Sequence, residues 1–375
     1  MNLQQIFDNT DFVHASGTKE ELQVAEYLKM QCEKAGVTAR LEGFRVAMGE
    51  IKDAHLYADG EELTCKAFTC CGSGNVEGEL YYMPGTDAVS IAGAKDKIVL
   101  MDTQGIGFFT YQDLMKAGAK AILFQYGNMY YPQTDIDQRD LREAVVGEER
   151  KVFCAMLHSS EAVKLVKNGA KQIKLEIKQK EYDGESHNVI AELPGKRDEW
   201  IVLSAHYDTT SLSHGAYDNM SGCAGLLGIM EQMKEKELNY GLRFMFCGSE
   251  ERGLLGSKAY VRDHEAELEK IVLNINLDMI GNRVGGITFG PKHVVLFIGI
   301  NKITANLEEA MHRVRTIAAP RNAIRHEGFR TPCHKTGVCM DCNSPDRICN
   351  VWTITEKSYP AGRIKVILIG EELGL

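Results

Sequence analysis

Three stretches decide the fold: WIVLSAHYD (200–208), LRFMFCGSEE (242–251) and IVLNINLDMIG (271–281). Each is an apolar run that finishes in polar or charged residues. Runs of this length read as strands buried on both faces, and the segment GCAGLLGIMEQMKEK (222–236) between the first two reads as a helix. Strands alternating with helices predict an α/β fold with a mostly parallel central sheet and helices on both faces. In open sheets of this kind, sites form in the crevice beyond the carboxyl ends of the strands. Those ends carry His206 and Asp208, Glu250 and Glu251, and Asp278, while Asp218 follows the first strand in a loop just before the helix.

The residue types point to a metal. An imidazole with several carboxylates suits zinc or another borderline divalent ion better than calcium or magnesium. A carboxylate such as Asp218 can bridge two ions in a two-metal hydrolytic site. On an extended backbone two adjacent glutamates point opposite ways, so one of Glu250 and Glu251 can ligate while the other serves as a base on an activated water. Asp208, two residues after His206, is placed to orient the imidazole.

Working outward, TKEELQVAEYLKMQCEKAGV (18–37) reads as an amphipathic helix. Leu22, Ala25, Leu28 and Cys32 recur at helical spacing, Thr18 with Glu21 offers a capping box, and Gly36 sits at the stop. From about 45 to 185, short apolar segments, glycines and turn signals predict a β-rich module with strands at 97–102 and 121–127 around a helix at 110–121. Beyond 282 the texture changes again, with a strand at 294–300, a helix, a cysteine cluster and a final strand.

Taken together, HYDTT, GAYDNMSGCAGLL, SEERGLLGS and NLDMIG resemble the co-catalytic zinc aminopeptidases, a family that includes aminopeptidase Y, glutamate carboxypeptidase and transferrin-receptor relatives. The resemblance implies His206, Asp218 and Asp278 on one metal, Asp218 and Glu251 on a second, Glu250 as general base and Asp208 as the residue orienting His206. It implies a catalytic domain made of 1–44 and 186–282, and removal of N-terminal residues from peptides. The segment 45–185, through KIVLMD and KAGAKAILFQYG, resembles the protease-associated insert of some members. The histidine that the family supplies to its second metal from a Ser-Asp-His turn has no counterpart turn here, so the second zinc is expected to be weak. His293, His312, His326 and His334 sit in unrelated contexts. Residues 283–375 resemble instead the end of lactate-utilisation (LUD) proteins, through FGPKHVVLFIGINKI, AAPRNA and TPCHKTGVCMDCNSPDRICN. Two alternatives to the peptidase follow: a catalytically impaired metal-binding or interaction protein on the peptidase fold, and a lactate-utilisation-related protein.

Composition narrows the rest. Of 375 residues 44% are apolar, enough for at least one large core, and the formal charge is -9. An acidic chain argues against nucleic acid and anionic membranes as partners, because both require clustered positive charge. No apolar run reaches the roughly 18 residues of a membrane helix. The first residues show no basic segment followed by an apolar one, so the expectation is a cytoplasmic protein with peptides as substrates. Seven of the eleven cysteines are scattered and read as reduced thiols. The other four, Cys333, Cys339, Cys342 and Cys349, are spaced to hold either a zinc ion or an iron–sulfur centre, or to be plain structural thiols.

Overall fold

The structure is a computed structural model, and it describes residues 2–130 and 135–280. These described residues divide into two compact units, one built from 2–44, 186–209 and 213–280, the other from 45–130 and 135–185 with 210–212.

The first unit opens with α1 (Gln4–Asn9) and α2 (Lys19–Lys34). Thr18 caps α2 as the sequence predicts, accepting the Glu21 amide at 3.2 Å. The reciprocal half of the capping box is not made: the Glu21 side chain accepts the amide of Gly17, not that of Thr18, because the Thr18 amide is already bonded to Ala15. Val24, Ala25, Leu28 and Cys32 turn one buried stripe of α2 into the core. The strand β1 (Ala39–Ala58) then leads out of this unit.

The second unit contains the rest of β1, β2 (Glu61–Leu63), β3 (Cys65–Ala67), β4 (Gly74–Met83), α3 (Ala88–Ala92), β5 (Lys97–Met101), α4 (Phe108–Ala117), β6 (Ala121–Tyr126), α5 (Glu143–Val146), β7 (Phe153–His158), α6 (Ser159–Asn168) and the first part of β8 (Gln172–Leu193). Strands β4, β5, β6 and β7 pair in parallel, with β3 antiparallel beside β7 and β8 antiparallel beside β4. Parallel neighbours need crossovers, and α4 between β5 and β6 and α6 after β7 supply helical cover. Ile98, Val99, Leu100, Ile122, Leu123 and Phe124 are buried in its core.

The chain returns to the first unit along β8 and continues through β9 (Trp200–His206), α7 (Ser221–Met233), β10 (Gly241–Cys247), α8 (Leu255–Asp263) and β11 (Ile271–Asn276). β9 pairs in parallel with β10 on one side and β11 on the other, and β8 closes β10 antiparallel. This is the α/β arrangement with a mostly parallel sheet that the apolar runs predict. Phe244, Phe246, Leu226 and Leu227 lie in its core together with the α2 stripe.

All seven cysteines of the described residues are free thiols. The Cys333, Cys339, Cys342, Cys349 cluster lies outside the described residues, as do the histidines after 282 and the whole lactate-utilisation-like segment. Among the described residues, no helix is long and apolar enough to cross a membrane.

Candidate metal centre

Register brings the site together. Cys247 pairs with His206 and Asn276 with Ser204 across the parallel strands, so the three chains leave the sheet side by side. Of the residues that bear the chemistry only His206 is still in a strand, and Asp208, Glu250, Glu251 and Asp278 lie on the loops that follow. Glu250 and Glu251 therefore lie outside the strand, with Glu251 inside a turn. Ser249 adopts φ 54° in the left-handed region, and the carbonyl of Glu250 accepts the amides of Gly253 and Leu254, which turns the chain sharply. Strand alternation therefore does not set the directions of the two side chains; the turn does.

Asp218 is held on a different principle. The loop before α7 is anchored by Asn219, which is fully buried. Its Oδ1 accepts the amides of Gly222 and Met279, each at 3.1 Å, and its Nδ2 donates to the carbonyl of Leu277 at 2.9 Å. One side chain thus ties the residue after Asp218 to both neighbours of Asp278. Gly222 is required by this approach: a Cβ there would lie 2.4 Å from the Leu277 carbonyl oxygen. The sequence reading missed Asn219, although its place inside GAYDNMSG was the available signal.

The result is a compact donor set. One ligand atom from each of His206, Asp218 and Asp278 lies within 4.8 Å of the other two. His206 Nε2 is 2.9 Å from Asp218 Oδ1 and 3.8 Å from Asp278 Oδ1. On the other side of the ring, Nδ1 lies 3.2 Å from the Asp208 carbonyl oxygen and 3.5 Å from its carboxylate. With Nδ1 donating, loss of the Nε2 proton would leave a lone pair facing the two carboxylates, the tautomer a metal needs. Asp208 is fully buried and does more than orient the ring. Its two oxygens accept the amides of Glu250 at 2.8 Å and Glu251 at 3.1 Å. Glu250 lines one cavity with His206, Ser204, Cys247 and Asn276. Glu251 stands outside the three-residue set, although its carboxyl feels the charge of Asp218.

The electrostatics are those of crowded acids. Burial raises the Glu250 carboxyl above its ordinary value, and surrounding aspartates add to it while His206 opposes. Burial, followed by the charge of Asp218, pushes Glu251 up to about 7. Burial alone would lower His206, but its hydrogen bonds to Asp208 and Asp218 outweigh it and hold the imidazole well above its usual value. Acids that resist ionisation around a proton-holding imidazole are what a divalent cation relieves: it replaces protons as the positive charge. Among the described residues the donor set fits zinc.

Residues 188–332 match the profile of peptidase family M28. Over that stretch the chain is similar to the M28 peptidases. The match runs past 282, so part of the stretch read above as lactate-utilisation-like falls inside it. Aminopeptidase YwaD of Bacillus subtilis is 34% identical over 202 residues, 51% of this chain and 41% of that protein. Leucine aminopeptidase 2 of Arthroderma otae is 28% identical over 241 residues, 61% of this chain and 47% of that protein. The chain thus spans less than half the length of these curated relatives. Among solved structures, the zinc aminopeptidase BSAP of Bacillus subtilis superposes with a TM-score of 0.60 at 24% identity, covering 74% of this chain and 68% of that one. An aminopeptidase from Aneurinibacillus sp. strain AM-1 gives 0.59 at 24% identity, covering 76% and 72%. These likenesses show that the chain shares the fold of these two aminopeptidases.

Proposed function

We propose that this chain is a zinc-dependent aminopeptidase that hydrolyses peptides from the N-terminal end. The observation that carries the reading is the His206, Asp218 and Asp278 donor set with Glu250 in the same cavity as the imidazole. His206, Asp218 and Asp278 would hold one ion, and Glu251 with a share of Asp218 a second. A zinc ion held there supplies Lewis acidity, activating water near neutral pH and polarising a carbonyl oxygen.

The protein's own groups do the rest. Glu250, kept basic enough by its raised pKa, takes a proton from the attacking water and returns it to the leaving amine. Asp208 keeps the His206 ring in one tautomer and, through the amides of Glu250 and Glu251, keeps both glutamates in place. Asn219 maintains the spacing of Asp218 from Asp278. The first set has three protein ligands and the second two, so the second ion is the weaker.

Zinc titration of chelator-treated protein, read by calorimetry alongside release of a chromophore from an aminoacyl amide, tests this. About one equivalent should bind tightly and a second only at excess, with hydrolysis absent after chelation and restored by zinc. Well under one equivalent bound, or hydrolysis untouched by the chelator, would sink the reading.

A further inference from the structure

A buried glutamate far from the site in sequence reaches the turn that carries the two glutamates. Glu21, in the first turn of α2, is 1% exposed. No cation pairs with it among the described residues. Every polar contact it makes is with a hydrogen-bond donor: Oε2 takes the Gly17 amide, while Oε1 takes the Ser186 hydroxyl at 2.8 Å, the Ser249 amide at 3.0 Å and the Ser249 hydroxyl at 3.3 Å. The Ser249 hydroxyl also meets that of Ser16. Room for the carboxylate is made by Gly248, where a Cβ would fall 3.1 Å from Oε1 and 2.5 Å from the His187 carbonyl oxygen.

Helix capping does not account for this arrangement. A cap needs only the bond to Gly17, next to the helix start. The bonds to Ser186 and Ser249 cross to other segments, and a buried carboxyl without a cation is costly where an apolar side chain would pack. What the carboxyl supports is a serine at φ 54°, a backbone conformation an L residue adopts at some cost. Asp208 holds the next two amides. Two buried carboxyls therefore grip three consecutive amides at 249–251, the sequence in which Glu250 and Glu251 sit.

We propose that Glu21 is a positioning residue for the hydrolysis: as the acceptor for the Ser249 amide, it sets the 249–251 turn and so aims Glu250 and Glu251 at the donor set. The kinetic part of this rests on the peptidase reading; the ordering of the turn does not.

The test uses Glu21→Met, which keeps length and removes the acceptor, and Glu21→Gln, which keeps a carbonyl oxygen for Ser249. Val24→Ala on the same helix loosens the core without touching the turn. Amide exchange over 247–254, followed by mass spectrometry on metal-free protein, should quicken at least about tenfold in Glu21→Met and stay near wild type in Glu21→Gln and Val24→Ala. In the zinc-loaded protein, Glu21→Met should lose about 10- to 100-fold in kcat with KM within about twofold, and Glu21→Gln should recover most of it. Zinc at the His206 set should be retained in all three. Glu21→Met with wild-type exchange, Glu21→Gln as impaired as Glu21→Met, or Val24→Ala reproducing the loosened turn would each overturn the proposal. Should Glu21→Met not fold, Glu21→Asp withdraws the carboxylate by one methylene: a loosened turn supports the proposal and a wild-type turn refutes it. Because exchange is read without metal or substrate, a wild-type protein that cleaves no peptide would end the peptidase reading while leaving the turn result standing.

Discussion

Both units of this protein contain a strand of a parallel sheet that ends in a histidine, and the two histidines have opposite fates. In the second unit β7 ends at His158 and the chain enters α6 at the next residue. The ring is used at once by the helix: Nδ1 accepts the Ser160 amide at 3.2 Å, an N-cap in which imidazole replaces the usual oxygen. In the first unit β9 ends at His206, and the chain runs through a long loop before α7 begins at Ser221. That excursion makes room for Asp208 on one side of the ring and Asp218 on the other. Sheet architecture offers the position in both cases. The length and content of the following loop decide whether the imidazole caps a helix or joins a donor set.

The sharpest way to break this contrast is at the first unit's turn. Glu250→Gln should lower turnover by about 10²- to 10⁴-fold with zinc content nearly unchanged, because Gln keeps the shape and cannot accept a proton. Glu251→Gln should instead weaken the second zinc while leaving the first, measured by the same titration. The reverse pattern would exchange the roles of base and ligand.

A smaller effect is the pH dependence that the first unit's buried groups impose. The carboxyl of Glu251 is raised from 4.5 to about 7, and Glu21, by burial and then by the charge of Asp208, from 4.5 to about 8. Both hold a proton in the folded protein at pH values where the unfolded chain has lost it. Stability of the metal-free protein should therefore fall as pH rises from about 4.5 through about 8. His206, raised above its unfolded value, acts in the same direction. Calorimetric melting of metal-free protein between pH 5 and pH 9 checks the slope, and Glu251→Gln should flatten its lower part. A melting temperature that climbs over that range would contradict the assignment.

The least effect belongs to the other histidine. His158→Ala should cost about 1 kcal/mol, the usual scale for a lost N-cap, seen as a lowered melting temperature. Zinc binding and turnover should not change. A loss of zinc in that variant would mean that the two strand-end histidines do not have separate roles.

Much of the first unit was legible from local pattern. The predicted strands at 200–208, 242–251 and 271–281 appear as β9, β10 and β11, each shorter at its carboxyl end, and the predicted helix at 18–37 appears as α2 with its Thr18 cap. Buried apolar runs and helical spacing are properties of neighbouring residues, so they survive without any knowledge of the fold. In the second unit the strand–helix–strand reading of 97–127 likewise returns as β5, α4 and β6. The strand ends were overextended for a definite reason: alternation has no term for the backbone angle of Ser249, which ends the strand geometry before the glutamates.

The sequence by itself determined which residue types stand at the ends of parallel strands, and with them the chemistry open to the site: an imidazole among carboxylates, suited to zinc. The tertiary structure alone decided how those groups are held. Glu21 and Ser249 are 228 positions apart, and Asn219 and Leu277 are 58 apart. No periodicity links such pairs, because a hydrogen bond to a backbone amide or carbonyl does not depend on the side chain of the residue that carries it. Only the packing of α2 and the strand-end loops brings a buried acceptor within 3.0 Å of the amide it serves.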